Sequence, residues 1–297
     1  MLEELPLPAG LDGCTVRERY AGLRRRPHRH AELEVNLVIR GSATYLLDTR
    51  RYDLTPGTVT WLFPGQEHVL VDRSADHELW WAVFTPELVA RVAREPQHTP
   101  LLADDPPGRH SRRLGTAPAR RLQVLFEQAH EAESCEVTLA NSALAYLLAL
   151  SWRSYLDTAE NVAAFDVHPA VRAVARLVQA DPAAGDLSAL ARKVGLSPSH
   201  LSRLFAEQTG VALTTYRNRQ RLRRFFELYD DGKQTTALAA ALDAGFGSYA
   251  QFYRVFRKET GRGPADLTRS DSTIQSSTVH APNAAPSTQS PVQPYDA

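Results

Sequence analysis

The sequence predicts a multidomain α+β protein: an N-terminal β-barrel, a pair of central helices and a C-terminal all-α domain. Three observations predict it. Apolar residues alternate at period two through much of residues 14–85, recur at helical spacing through residues 118–156, and one helix–turn–helix pattern occurs twice between residues 187 and 261. The chain has 297 residues and is 43% hydrophobic, which allows real cores and excludes global disorder. The expected boundaries are 1–115 for the barrel, 116–162 for a helical linker or dimerisation region, 166–268 for the all-α domain, and 269–297 for a tail.

Each element has its own signal. Leu33, Val35, Leu37 and Ile39 alternate with Glu32, Glu34 and Asn36, the pattern of a strand with two distinct faces. Tyr45–Leu47 and Tyr52–Leu54 flank a hairpin connection. Pro56-Gly57 and Pro64-Gly65 are turn signals bracketing Val59, Trp61 and Phe63. A short helix at Pro86–Arg94 precedes a Pro-rich, charged connector up to residue 115. Leu122, Leu125, Phe126 and Ala129 form one helical stripe, and Leu139, Ala143, Tyr146, Leu147 and Leu150 another. These stripes fit packing on the barrel and a dimer interface equally well. From Arg269 onward the chain is Ser, Thr, Pro, Ala and Gln with few apolar residues, the composition of a disordered tail.

Composition narrows the function classes. No apolar run is long enough to span a bilayer and the start lacks a secretory pattern, so a cytoplasmic, membrane-free protein is expected. Two distant cysteines, Cys14 and Cys135, do not make a disulfide framework. The net charge of zero conceals −4 in residues 1–165, +6 in 166–270 and −2 in 271–297. A basic segment in a neutral chain suits contact with a polyanion.

The repeat is the most informative feature. The first copy runs from Leu187 through Gly195, Ser197, Leu201, Arg203 and Phe205 to Thr209-Gly210. The second runs from Ala237 through Gly245, Ser248, Phe252, Arg254 and Phe256 to Thr260-Gly261. Each copy has a Gly where the first helix ends and a Ser where the second needs its N-cap. Leu201, Leu204 and Phe205 share one face of the second helix, as do Phe252, Val255 and Phe256. The opposite faces carry Ser199, Ser202 and Arg203, and Tyr249, Gln251 and Arg254, which suits a helix laid in a major groove.

Two such copies joined by one long helix, Leu213–Tyr229, resemble the AraC/XylS family of bacterial transcription regulators. The likeness is carried by Gly245-Phe246-x-Ser248, Phe252-x-Arg254-x-Phe256-Arg257-Lys258 and Thr260-Gly261-x-x-Pro264. It departs from the family after Pro264, where Ala265-Asp266-Leu267-Thr268 stands in place of the usual Tyr-Arg. The resemblance implies a sequence-specific regulator, on analogy an activator, with double-stranded DNA, a small-molecule effector, a second copy of the chain and RNA polymerase as partners. It also implies that the joining helix sets the two reading helices about one DNA turn apart. Arg203 and Arg254 are the best candidates for base contact, each able to donate two bonds to guanine. Binding of phosphate or a local carboxylate is the alternative. Gln251 suits adenine, Tyr249 a thymine methyl or a sugar, and Lys258 with Arg257 phosphates. Ser199, His200 and Ser202 complete the set. The run Arg217, Arg219, Arg221, Arg223, Arg224 reads as a solvated face of the joining helix.

In the N-terminal part, Gly22-x5-His28-x-His30-x3-Glu34-x6-Gly41 resembles the first motif of the cupin superfamily. The second motif is imperfect: Gly57, Pro64 and His68 are present at altered spacing. On an extended strand His28, His30 and Glu34 share a face, and His68 closes the group from another strand end. Three imidazoles and a carboxylate suit a divalent transition metal. A metal-free effector pocket is the other reading, with His28, His30, Glu34, His68, Tyr45 and Trp61 as its lining. Two further functions compete with the regulator: a metal-dependent cupin dioxygenase or isomerase with a helical appendage, and a constitutive DNA-binding protein with a structural barrel. A cupin enzyme has no use for two groove-reading helices, so no catalytic role is expected. No phosphate loop, CxxC pair or nucleophile elbow is present to suggest other chemistry.

Overall fold

The structure is a computed structural model that describes residues 7–19, 31–47, 49–66, 68–104, 106, 110–159, 161–230 and 236–267. His28, His30 and the expected tail lie outside the described residues.

Among the described residues, nine strands form two facing antiparallel sheets rather than one closed cylinder. The strands are β1 (Gly13–Arg19), β2 (Leu33–Arg40), β3 (Ala43–Leu47), β4 (Arg50–Leu54), β5 (Thr58–Leu62), β6 (His68–Arg73), β7 (Glu78–Phe84), β8 (Ser111–Arg113) and β9 (Ala164–Asp166). One sheet runs β1-β7-β2-β5-β8 and the other β6-β3-β4-β9. Gly57 turns β4 into β5 at φ +83°, and a Cβ there would also crowd the Leu114 carbonyl at 3.2 Å.

The alternation in β2 does separate two faces, yet both are buried from Leu33 to Val38. Leu33, Val35 and Leu37 join Trp61, Trp80, Ala82 and Phe84 on the outer face of the five-stranded sheet. Covering that face are α2 (Thr116–Ala132), through Leu122, Phe126 and Ala129, and α3 (Val137–Leu156), through Leu144, Leu147, Leu148 and Trp152. Glu34, Asn36 and Val38 therefore turn inward, toward Tyr45, Leu47, Tyr52 and Leu54 of the other sheet.

The stretch expected to be a connector is structured. After the expected short helix, which is α1 (Pro86–Val92), it holds a 3-10 segment (Pro96–Leu102) and β8. Proline at a helix start and edge pairing of three residues need little apolar sequence, so composition hid them. The two stripes predicted in the central helices part company. Leu122, Phe126 and Ala129 are buried on the sheet, whereas Leu139 and Tyr146 are 52% and 58% exposed. Helix α3 is apolar on both sides, one of them uncovered.

The outer face of the four-stranded sheet is covered too. Leu46, Val69 and Val71 share a core with Val167 and with Val171, Val174 and Val178 of α4 (Pro169–Ala180). The same core includes α5 (Leu187–Lys193), α6 (Pro198–Thr209) and the start of α7 (Leu213–Asp230). A separate core of Leu222, Phe225, Ala240, Phe246, Phe252 and Phe256 joins the end of α7 to α8 (Ala237–Asp243) and α9 (Tyr249–Thr260).

Candidate functional site

The two halves of the all-α domain use the same hydrogen bonds at the same places. Asp186 and Thr236 cap the first helices by accepting from Ala189 N at 2.8 Å and Ala239 N at 3.2 Å. Gly195 and Gly245 follow at φ +70° and +93°, after which Leu196 N donates to Ala191 O and Phe246 N to Ala241 O. Ser197 and Ser248 then cap α6 and α9 by accepting from His200 N and Gln251 N. Both helices end on a left-handed glycine, Gly210 and Gly261. Thr209 and Thr260 bond back into their last turns, donating to Phe205 O at 2.7 Å and Phe256 O at 2.8 Å. The sequence repeat is a structural repeat.

Leu201 and Phe205 of α6, and Phe252 and Phe256 of α9, are fully buried against their bracing helices. That anchors each second helix and turns its other side outward. Ser199, His200 and Arg203 are exposed on α6, with Ser202 half-buried. Tyr249, Arg254 and Lys258 are exposed on α9. Arg203 stands 3.7 Å from Glu207 across one turn, with both side chains mostly solvated. Such a surface pair is worth up to about 1 kcal/mol, so it holds the guanidinium only weakly. Arg254 Nε donates to Ala250 O at 3.4 Å, within its own helix. Gln251 is half-buried and its Oε1 accepts from Gly247 N at 3.0 Å, so its carbonyl holds the turn.

The arginine run of α7 is not a solvated face. Arg217 donates to Pro182 O and Ala184 O, each at 3.3 Å, and also bonds Gly185 O; Arg221 donates to Pro182 O at 3.1 Å. The two clamp the α4–α5 loop, and burial, with the charge of Arg217 adding, lowers the Arg221 pKa to about 10. Arg219 bonds Asp72 of β6 and, through Nε at 2.9 Å, Glu259 of α9. Burial alone would lower its pKa, but the two carboxylates raise it. Arg223 and Arg224 lie 3.7 and 3.2 Å from Glu227. The spacing of these arginines suggested one exposed face, but neighbouring loops and carboxylates reach them all.

Between the sheets, residue pairing assigns the faces. Glu34 lies opposite Leu62 and Val83, and Asn36 opposite Thr60 and Trp81. Tyr45 lies opposite Tyr52, and His68 opposite Leu47. Directly opposed residues share a face, so Glu34, Asn36, Thr60, Trp81, Tyr45 and His68 all belong to the interior. Trp61 does not. It pairs with Val35, is fully buried on the outer face, and meets Trp152 of α3 edge-on at 5.3 Å. Asn36, Thr60 and Trp81 are interior residues missing from the expected pocket. The alternation from Glu34 pointed to Asn36; the other two needed the strand register. Asn36 is 3% exposed and its Nδ2 has no hydrogen-bond partner among the described residues. A buried donor without a partner costs about 1–3 kcal/mol, which a ligand oxygen would recover. Of the four expected metal ligands only Glu34 and His68 are described. Among the described residues no group of three or more His, Cys, Asp or Glu could hold a metal ion.

Comparison with known proteins gives matches in both halves. The family described as AraC-like ligand binding domain matches residues 10–149, and a helix-turn-helix domain family matches residues 190–270; together they span about three quarters of the chain. The arabinose operon regulatory proteins of Salmonella typhimurium and Escherichia coli are each 35% identical over 82 residues. That match covers 28% of this chain and 29% and 28% of theirs, so it spans under a third of the length of these curated relatives. Among solved structures, ToxT from Vibrio cholerae O395 aligns over 90% of this chain and 99% of its own, at 13% identity and a TM-score of 0.40.

Proposed function

The chain belongs to the AraC family of DNA-binding transcription regulators, and from that premise we propose that it is an effector-responsive, sequence-specific regulator whose two reading helices enter successive major grooves of one DNA duplex. The observation that carries the proposal is the repeated unit, with α6 and α9 capped and braced alike and their polar faces exposed. Arg203 and Arg254 would read bases. Ser199, His200, Ser202, Tyr249 and the free amide of Gln251 would line the grooves, and Lys258 would meet phosphate. Residues 1–115, 116–162 and 166–268 would serve as sensor, dimerisation region and DNA reader. No catalytic step enters this reading. Among the described residues no helix is long and apolar enough to cross a membrane.

We place the effector between the sheets, beside Asn36, Glu34, Thr60, Tyr45 and His68. A buried amide donor, a carboxylate and hydroxyls suit a small polar organic molecule. Elemental analysis of protein purified without chelators separates this from a metal site. Transition metal well below one equivalent supports the organic effector. One equivalent, lost on His68→Ala, would replace it.

The test of the reading helices is binding to a randomised operator library. Arg203→Ala and Arg254→Ala should each relax base preference in one half-site only, by roughly 5- to 100-fold. Unchanged preference in both variants would overturn the assignment.

A further inference from the structure

Taking α6 and α9 as the groove-reading helices, we propose that the four-stranded sheet sets the spacing between them. Arg51 and Asp72 are the positioning residues, and through them the sheet decides which half-site separation the protein accepts. Both grips fall at the same place in the repeat. Gln208 and Glu259 are each the residue before the Thr-Gly pair that ends the second helix. Gln208 is held from the sheet side. Arg51 Nη1 donates to its carbonyl at 3.3 Å, and its Oε1 accepts at 2.8 Å from His168 N, just beyond β9. Glu259 is held through Arg219, whose Nε donates to it at 2.9 Å and whose Nη1 pairs with Asp72 of β6.

Plain alternation along β6 would not put Asp72 there. The strand pairs Leu70 with Tyr45 but Asp72 with Thr44, so Val71 is an extra residue, a β-bulge. His68 and Leu70 face the interior, and without the bulge Asp72 would follow them. With it, Asp72 turns outward to Arg219. Arg51 faces the same way, opposite Leu46, which belongs to the outer core. The two residues therefore stand on one face, on the strands either side of β3 and about 10 Å apart across the sheet. The grips matter because the two reading units share little else. Their cores are separate, and α7 contributes to both. One added base pair moves a half-site by about 3.4 Å and turns it by about 34°. A joining helix alone can bend to follow such a shift. Two helix ends tied to one sheet resist it.

The test is binding of the full chain to operators selected from the randomised library, with the two half-sites then moved closer together or further apart by single base pairs. The wild type should lose about tenfold or more for a shift of one base pair. Asp72→Ala and Arg51→Met should each hold that loss to about threefold or less, with base preference inside each half-site unchanged. Both side chains are partly exposed, at 34% and 23%, so neither change removes a core residue. Asp72→Glu, which keeps the carboxylate, should restore the strict profile. Val59→Ala, in the core of the other sheet, should lower the melting temperature and leave the profile strict, which separates positioning from mere instability. A wild type indifferent to spacing, a strict profile in either Asp72→Ala or Arg51→Met, a relaxed one in Val59→Ala, or no restoration by Asp72→Glu would each overturn the proposal. Failure of the groove-reading assignment shows elsewhere, as unchanged base preference in Arg203→Ala and Arg254→Ala.

Discussion

Two buried titrating side chains work against each other. Glu133 of the α2 C-terminus accepts from Thr15 N and Thr15 Oγ1, both at 2.6 Å, and burial pushes its pKa up to about 7 despite those bonds. His77 is held down to about 4 by burial and by the charge of Arg73. Between about pH 4.5 and 7 folded Glu133 keeps a proton that the unfolded chain has lost, so its contribution to stability falls as pH rises. Between about pH 4 and 6.5 unfolded His77 binds a proton that the folded chain refuses, so its contribution rises with pH. The two slopes cancel over most of the shared window. Glu133→Gln should therefore make denaturant stability climb from pH 4.5 to 6.5 more steeply than in the wild type. An unchanged slope in urea melts across that range would show that Glu133 titrates normally.

At the scale of elements, the paired turns give a controlled comparison. Gly195 and Gly245 both need positive φ, but a Cβ at Gly195 meets nothing within 4 Å, while one at Gly245 would lie 2.6 Å from Ala183 Cα. Gly195→Ala should cost about 1 kcal/mol of backbone strain, and Gly245→Ala at least about 2 kcal/mol because the α4–α5 loop must move as well. Equal losses in chemical denaturation would mean that the close approach is absent. Arg219 links three elements, β6, α7 and α9, with Glu259 only 9% exposed at its side chain. Arg219→Met should cost about 3 kcal/mol, since it strands a nearly buried carboxylate. Glu259→Gln in the same background should recover part of that loss, a double-mutant test that simple removal of packing would fail.

For the whole molecule, the first reading unit shares a core with the four-stranded sheet, and Arg51 of that sheet donates to Gln208 O near the end of α6. The proposed sensor and reader are thus packed together as well as tethered, a contact through which occupancy of one would bias the other. The uncovered side of α3, with Leu139 and Tyr146, is the surface that suits a second copy. On the proposed dimer, Tyr146→Glu should shift sedimentation from dimer to monomer and weaken operator binding about tenfold or more, while each chain keeps its melting temperature. A Tyr146→Glu dimer would move the interface elsewhere.

Local chemistry made much of this legible in the residues alone. Gly195 and Gly245, Ser197 and Ser248, and the Leu and Phe positions of α6 and α9 act within a few residues of themselves, so their spacing was sufficient to locate two helix–turn–helix units. Glu34, Tyr45 and His68 could be assigned to strands for the same reason. Tertiary structure alone decided what lies opposite what. Trp61 turned to the helices because register sets a side chain's face, and a residue's neighbours across a sheet are distant in sequence. Thr60 and Trp81 entered the interior for that reason, and the arginines of α7 became clamps because the α4–α5 loop, Asp72 and Glu259 arrive from elsewhere. Periodicity reports which face of an element is apolar or charged; which surface meets it depends on how the chain returns.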